Sequence, residues 1–483
     1  MTANNLVQKI WSFCDTLRDD GLGYNDYLEQ LTYLLFLKMA DENRSKYNLP
    51  AICDWQDFIN KKGGDLLEQY EQILKALSEA GGMLEKIFSN SQNKIHDSVK
   101  LKRLLTLINE EDWTSTGYDI KGEIYESLLQ KNAENSGAGQ YFTPRSVIQA
   151  MVECLKPLAN ETIADPSCGT GGFFLGVLDY LRKENNLTQS DFEFIKFKMF
   201  HGWEIEKSTA RLCLMNLYLH GIGDLKKTPD IHITDSLKVS LKQSVKIVLA
   251  NPPFGKSSSD TPTTDPIQAK KEGYFLRDDF WVSTGNKQLA FLQHIVSMLA
   301  EGGRAAVVLP DNVLFEGGAG EVIRRKLLEE IKLHTILRLP TGIFYAHGVK
   351  ANVLFFEKCV SSTDPSTKEI WYYDYRTNIH HTPKQNPLRF ENLTDFLECY
   401  KPNDINDRIE TYNTDNQTGR WRKYTYEELV SRDKANLDIT WISDDSMVDF
   451  DNIPDPDELL NDIIENIESA LINIKTIKES LSN

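Results

Sequence analysis

A doubly wound α/β fold, with a mostly parallel sheet, follows from three observations along this chain. From about residue 160 to 360, short β-branched runs alternate with amphipathic helical stretches, the pattern of parallel strands joined by helices. A glycine-bearing turn, "ADPSCGTGGF", links the first of these strands to its helix. A later buried-strand pattern, "VKIVLA", stops at two prolines, which cannot donate to a sheet ladder.

In chain order, residues 1–135 read as an N-terminal helical domain. "YLEQLTYLLFLKMADE" and "VKLKRLLTLINEE" repeat apolar residues at three- and four-residue spacing. Pro50 and the pairs Gly63-Gly64 and Gly81-Gly82 punctuate them. No glycine-rich loop or ligand cluster occurs there, so packing is the expected role. Near 135 the chain becomes polar and glycine-bearing in "ENSGAGQYFTPRSV", where Thr143 and Pro144 suit an N-cap and a first helical position.

Residues 136–360 carry the strand and helix alternation and form the predicted catalytic domain. A strand to Ala164 leads through Asp165–Gly172 into a helix. "KMFHGWEIE", "IHITDSL", "VKIVLANPPF", "RAAVVLP", "LHTILRLP" and "NVLFFEK" supply further strands. Between Gly255 and Pro266, "GKSSSDTPTTDP" predicts a mobile loop beside the proline cluster, placed to close over a substrate. Residues 361–455 read as an irregular extension, with "GRWRKY" (419–424) as a surface turn and His380-His381 as a surface pair. Residues 456–483 predict a C-terminal helix. Leu460, Ile464, Ile467, Leu471 and Ile474 follow a 4-3 spacing that suits a partner's helix or the chain's own domain.

Composition narrows the class. No stretch approaches the ~20 apolar residues of a membrane span, and the first residues lack a signal peptide's basic and apolar blocks. The seven cysteines are scattered without a C-x-x-C pair, which argues against a zinc site or disulfide framework and predicts a cytoplasmic protein. No histidine shows metal-ligand spacing, so no metal is expected. A formal charge of −17 opposes unaided DNA binding, because neutralised phosphates supply much of that affinity. Either nucleic acid is not the substrate, or a partner supplies the grip.

The residue types point to a cofactor site and an amine clamp. Asp165 ends one strand, and Thr170, Gly171 and Gly172 open the next helix, where backbone can approach a ligand. The turn is not G-x-G-x-x-G, which weakens a dinucleotide reading. Glu204 ends the next strand and can accept both hydroxyls of a ribose; it follows Asp165 by 39 residues, with "ENNLTQSDFEF" as an insertion. Asp235 then suits either an adenine's exocyclic amine or a turn N-cap. Asn251, Pro252, Pro253 and Phe254 arrive as a stiff cluster at a strand's C-terminal end, where open α/β sheets bind ligands.

"GQYFTPRSV", "ADPSCGTGGF", "HGWEIE" and "ANPPFG", in this order and behind a helical front domain, resemble the modification subunit of type I restriction-modification systems, an N6-adenine DNA methyltransferase family. The resemblance covers residues 1 to about 360 and implies a Rossmann-like methyltransferase sheet that uses S-adenosylmethionine. By resemblance Gln140, Tyr141, Phe142, Thr143, Pro144 and Arg145, with Thr170–Gly172, line the cofactor pocket, Asp165 near the methionine end. Glu204 holds the ribose, Asp235 the adenine, and Asn251–Phe254 form the catalytic site. Implied partners are double-stranded DNA, a separate specificity subunit, a second copy of this chain and a restriction/translocase subunit. The four-residue site also occurs in enzymes that methylate protein glutamine or an RNA base, and a silent cofactor-binding scaffold is a third possibility. Cytosine C5 chemistry needs a Pro-Cys nucleophile; Cys168 lies in the cofactor turn instead, as a packed thiol.

Overall fold

The computed structural model describes residues 24–42, 49–110, 143–183, 187–224, 227–239, 244–255, 260–344, 349–360, 363–382 and 386–444. Residues 1–440 form one compact unit and residues 441–483 a second. The predicted helix over 456–483, and Gln140, Tyr141 and Phe142, lie outside the described residues.

The front of the chain is helical: α1 (Tyr24–Glu42), α2 (Trp55–Asn60), α3 (Gly63–Ser78), α4 (Gly82–Phe88) and α5 (Ser98–Asn109). Aspartates start two of them, Asp54 accepting from the Asp57 N–H and Asp97 from the Val99 N–H. Gly81, at φ +77°, makes the bend between α3 and α4 that a side chain would resist. α6 (Arg145–Leu155) and α7 (Gly172–Lys183) pack closely because glycines face Ile148. A Cβ on Gly176 would lie 2.5 Å from the Ile148 Cγ2, and one on Gly172 3.2 Å from its Cδ1. β1 (Ile163–Asp165) precedes α7; α8 (Gln189–Phe197), β2 (Phe200–Glu204) and α9 (Lys207–Leu219) follow. α8 occupies the insertion between the two acidic residues, started by a Thr188/Asp191 capping box. Arg211 of α9 pairs with Glu29 and Tyr33 of α1, tying the helical front to the sheet.

β3 (Asp230–Ile233), β4 (Val245–Ala250), β5 (Thr261–Thr263), β6 (Tyr274–Leu276), α10 (Lys287–Met298), β7 (Leu299–Pro310), α11 (Asn312–Phe315), α12 (Ala319–Glu330), β8 (Lys332–Arg338) and β9 (Ala351–Glu357) continue the alternation. Among the described residues, nine strands, with β10 (Glu369–Asp374) and β11 (Trp421–Thr425) the last in the chain, form one sheet in the order β11-β10-β8-β9-β7-β4-β1-β2-β3. β3 to β7 run parallel, and β9 is antiparallel to both neighbours. Chain order runs outward from β1 through β2 to β3 in one direction and from β4 to β7 in the other, beyond which β9 inserts between β7 and β8. The boundary shared by β1 and β4 is the switch point where such sheets open a ligand crevice. The central strands are buried on both faces, which explains their unbroken apolar runs.

Four expectations are corrected after residue 250. Residues past 360 are not irregular: β10 (Glu369–Asp374), α13 (Thr394–Tyr400), β11 (Trp421–Thr425) and α14 (Tyr426–Ser431) extend the same fold. "GRWRKY" is an edge strand rather than a surface turn, because Trp421 is fully buried and stacks on Trp371 at 5.2 Å. His381 is buried against the Tyr375 hydroxyl at 3.1 Å, so only His380 is exposed. Part of the expected mobile loop is ordered as β5, paired parallel with β6, where the buried Thr263 hydroxyl meets Gln268 and Ser283. Among the described residues, no helix is long and apolar enough to cross a membrane.

Candidate active site

β1 and β4 lie side by side, Ile163 opposite Ile247 and Ala164 opposite Val248, so their next residues meet at the switch point. From β1 come Asp165 and the turn; from β4 comes Asn251. The two are joined by Ser167, whose hydroxyl donates to the Asn251 carbonyl at 3.3 Å while its N–H donates to Asp165 Oδ1 at 2.9 Å. Asp165 is buried, and loss of water pushes its carboxyl up to about 8 against the opposing Ser167 N–H bond, with Glu204 adding repulsion.

The glycine turn divides its labour. Gly171, at φ +86°, has its Cβ position 3.1 Å from Cys213 Sγ, so a side chain is barred by packing as well as conformation. Gly169, at φ +53°, faces open space instead. The Thr170 carbonyl accepts from the buried Asn216 Nδ2 at 2.9 Å, which fixes the turn from α9. Glu204, at the end of β2, accepts from the Gly169 N–H at 3.1 Å and the Glu206 N–H at 2.8 Å. Burial raises its pKa, while those backbone donors oppose the rise. Ile205 beside it is 68% exposed, an apolar face with no core to join. Asp235 follows β3 and caps a short 3₁₀ turn, its Oδ1 accepting from the Leu237 N–H at 3.0 Å.

Asn251 is buried, and its Nδ2 donates to the Thr143 hydroxyl at 2.9 Å. The start of α6 differs from the expectation by one residue: Pro144 is the N-cap, no side chain caps the helix, and Arg145 is its exposed first residue. Pro252 is buried, and half-buried Phe254 packs against the main core. Gln288, at the start of α10, brackets Gly255 in the orientation that satisfies both partners. Its oxygen faces the N–H at 2.6 Å and its nitrogen the carbonyl at 3.1 Å. Arg277 anchors the far side by donating to the Leu237 carbonyl at 2.7 Å and pairing with Asp279 through two bonds of 2.7 Å. Asp165, the glycine turn, Glu204, Thr143 and Asn251 are thus linked by contacts beyond the ends of β1, β2 and β4, with Asp235 following the neighbouring β3.

Residues 116–443 match the N-6 DNA Methylase family, and residues 6–110 match the HsdM N-terminal domain. The type I restriction enzyme StySJI methylase subunit of Salmonella typhimurium is 37% identical over 100% of this chain and 96% of its own length. The EcoKI methylase subunit of Escherichia coli K12 has the same identity and coverage. The chain belongs to the N-6 DNA methylases, among the methylase subunits of type I restriction enzymes. One chain of a solved type I R-M system is similar to this methylase, with a TM-score of 0.71, 26% identity, and coverage of 100% and 99% of the two chains.

Sequence reasoning missed several residues of the methylase site. Ser167 and Gly169 stand inside the quoted turn, yet nothing in the sequence tells that one bonds Asn251 and the other Glu204. Ile205 had a signal: an apolar residue directly after the strand-ending acid, where a turn is usually polar. Gln288 and Arg277 had none, because their bonds to Gly255 and to the Leu237 carbonyl join segments distant in sequence.

Proposed function

We propose that this methylase transfers a methyl group from S-adenosylmethionine to N6 of adenine in double-stranded DNA. In this reading it acts within a type I complex, beside a second copy, a separate specificity subunit that selects the sequence, and a restriction subunit. The observation that carries it is the Asn251-Pro252-Pro253-Phe254 cluster at the end of β4, its amide held by Thr143 and its carbonyl by Ser167.

The residues present fit the cofactor. Gly169 leaves open space where a ligand would approach backbone, and Asp165 offers a buried carboxylate to a cationic group. Backbone N–H groups already hold the Glu204 carboxylate in place, and its remaining acceptor capacity suits ribose hydroxyls. The exposed Ile205 supplies an apolar face for a base, and Asp235 an acceptor for its amine. Thr170, Gly171 and Gly172 contribute backbone, and Thr143 brings the entry to α6 against Asn251. When bound, S-adenosylmethionine supplies an electrophilic methyl on a sulfonium with a neutral leaving group.

Adenine N6 is a weak nucleophile because its lone pair is delocalised into the ring. Asn251 Oδ1 and the Pro252 carbonyl accept its two hydrogens and favour a pyramidal nitrogen with the lone pair directed at the methyl. The two prolines keep both acceptors rigid, so little reorganisation is left for the reaction. Phe254, which packs against the core, is the aromatic side chain proposed to stack on a base flipped from the duplex. Methylation makes the N6 proton strongly acidic, so these acceptors orient it and no basic side chain is required.

Asn251→Ala tests the reading. Loss of a preorganised transition-state partner costs about 3–4 kcal/mol, a fall of several hundredfold or more in turnover. Cofactor affinity is expected to stay within about twofold, since the amide lies on the substrate side. Labelled methyl transfer by the assembled complex measures both. Wild-type turnover in Asn251→Ala would sink the assignment, and label appearing in protein or RNA rather than DNA would favour the glutamine or RNA-base alternative.

A further inference from the structure

We propose that Thr143 is a positioning residue for the catalytic amide, acting through Asn251 rather than on the cofactor. This rests on the amine-clamp reading above. The two side chains come from positions 108 apart in sequence and meet at 2.9 Å, both more than nine-tenths buried. The sequence makes Thr143 the natural N-cap of α6, yet that helix starts one residue later with no side-chain cap, so its hydroxyl is directed at Asn251 instead. The Ser167 hydroxyl holds the backbone carbonyl of the same asparagine at 3.3 Å. Backbone and side chain are therefore restrained from two separate segments, the α6 entry and the glycine turn.

The chemistry gives this contact a purpose. An amide turned end for end would present N–H groups to the N6 amine, a donor facing a donor. A hydroxyl that accepts from Nδ2 stabilises the orientation with Oδ1 toward the amine. In a dry site it also polarises the amide and strengthens that oxygen as an acceptor. Without it, the amide must find its plane each time a base enters, a cost that falls on turnover rather than on cofactor binding.

Thr143→Val keeps the shape and removes the hydroxyl; Thr143→Ser keeps the hydroxyl. Both are assayed in the assembled complex at saturating DNA and cofactor, with S-adenosylmethionine affinity measured separately by calorimetry and folding by thermal melting. Val is expected to lower kcat by about tenfold, the worth of one buried hydrogen bond, with cofactor Kd within about twofold of wild type. Ser is expected to restore kcat to near wild type. Three results would overturn the role: wild-type kcat in Thr143→Val, a weakened cofactor Kd with kcat intact, or Ser performing no better than Val. Wild-type transfer to adenine in the same assay carries the function itself, so a Val variant that matches it removes only the Thr143 role.

Discussion

Buried at the end of β1, the Asp165 carboxyl has lost its water, and its pKa is pushed up to about 8; the Ser167 N–H, its stabilising donor, only partly offsets this. A carboxyl in this state is poised for a cation. If S-adenosylmethionine places its positive groups nearby, the charged form is stabilised and the pKa falls in the complex. Between pH 6 and 8, binding is then expected to release a proton and to tighten with rising pH, levelling off above about 8. Calorimetry in buffers of different ionisation enthalpy measures the proton, and an affinity flat from pH 6 to 9 would refute the coupling. The ligand-free protein should respond with the opposite sign. A folded pKa raised above the unfolded value gives stability that is complete below about 4 and is lost as pH rises through about 8. Asn251 and Asp165 are thus linked through Ser167 but differ in kind: one is a neutral amide insensitive to pH, the other a titrating carboxyl at the proposed cofactor site.

At the scale of elements, the site depends on how closely α6 and α7 approach, because α6 delivers Thr143 and α7 begins at the glycine turn. Gly176 sets that distance: its Cβ position lies 2.5 Å from Ile148 Cγ2, so Gly176→Ala must push the helices apart. Overpacking of this kind costs about 1–3 kcal/mol, read as a lower urea midpoint with unchanged slope. Removing the opposing methyl groups with Ile148→Ala in the same chain should recover part of the loss, a non-additive pair. Full additivity would show that the helices do not meet through this contact. The sequence displays the parallel strands and the glycine turn clearly, because strands buried on both faces must be continuously apolar and a tight turn must use glycine. It hides β10 and β11: their aromatic and charged residues lie among Asn, Asp and Thr, and only the stacking of Trp371 on Trp421 reveals the core they serve. It hides the Thr143–Asn251 bond for the same reason, since either residue alone fits an ordinary local role.

For the whole molecule, the decisive quantity is the net charge of −17. DNA affinity at physiological salt comes largely from cations that displace counterions from phosphate, and an excess of carboxylates works against it. Local bases do not change the balance where they are already engaged: Arg211 pairs with Glu29, Arg304 with Glu161, Arg338 with Asp374 and Asp438, and Arg376 with Asp311. The clamp proposed around Asn251 would recognise an exocyclic amine, a group that occurs at every adenine, and so would not select a site. The isolated chain is therefore expected to bind a labelled duplex weakly and without sequence preference at about 0.15 M salt, where screening extends only ~8 Å. Adding the separate specificity subunit should raise affinity by orders of magnitude and switch on methyl transfer. Anisotropy titrations across salt concentrations give the number of phosphates neutralised, from the slope of log K against log salt. If the slope is steep for the complex and shallow for the chain alone, the partner supplies the grip. Nanomolar, sequence-selective binding by the isolated chain would instead require a recognition surface within this polypeptide.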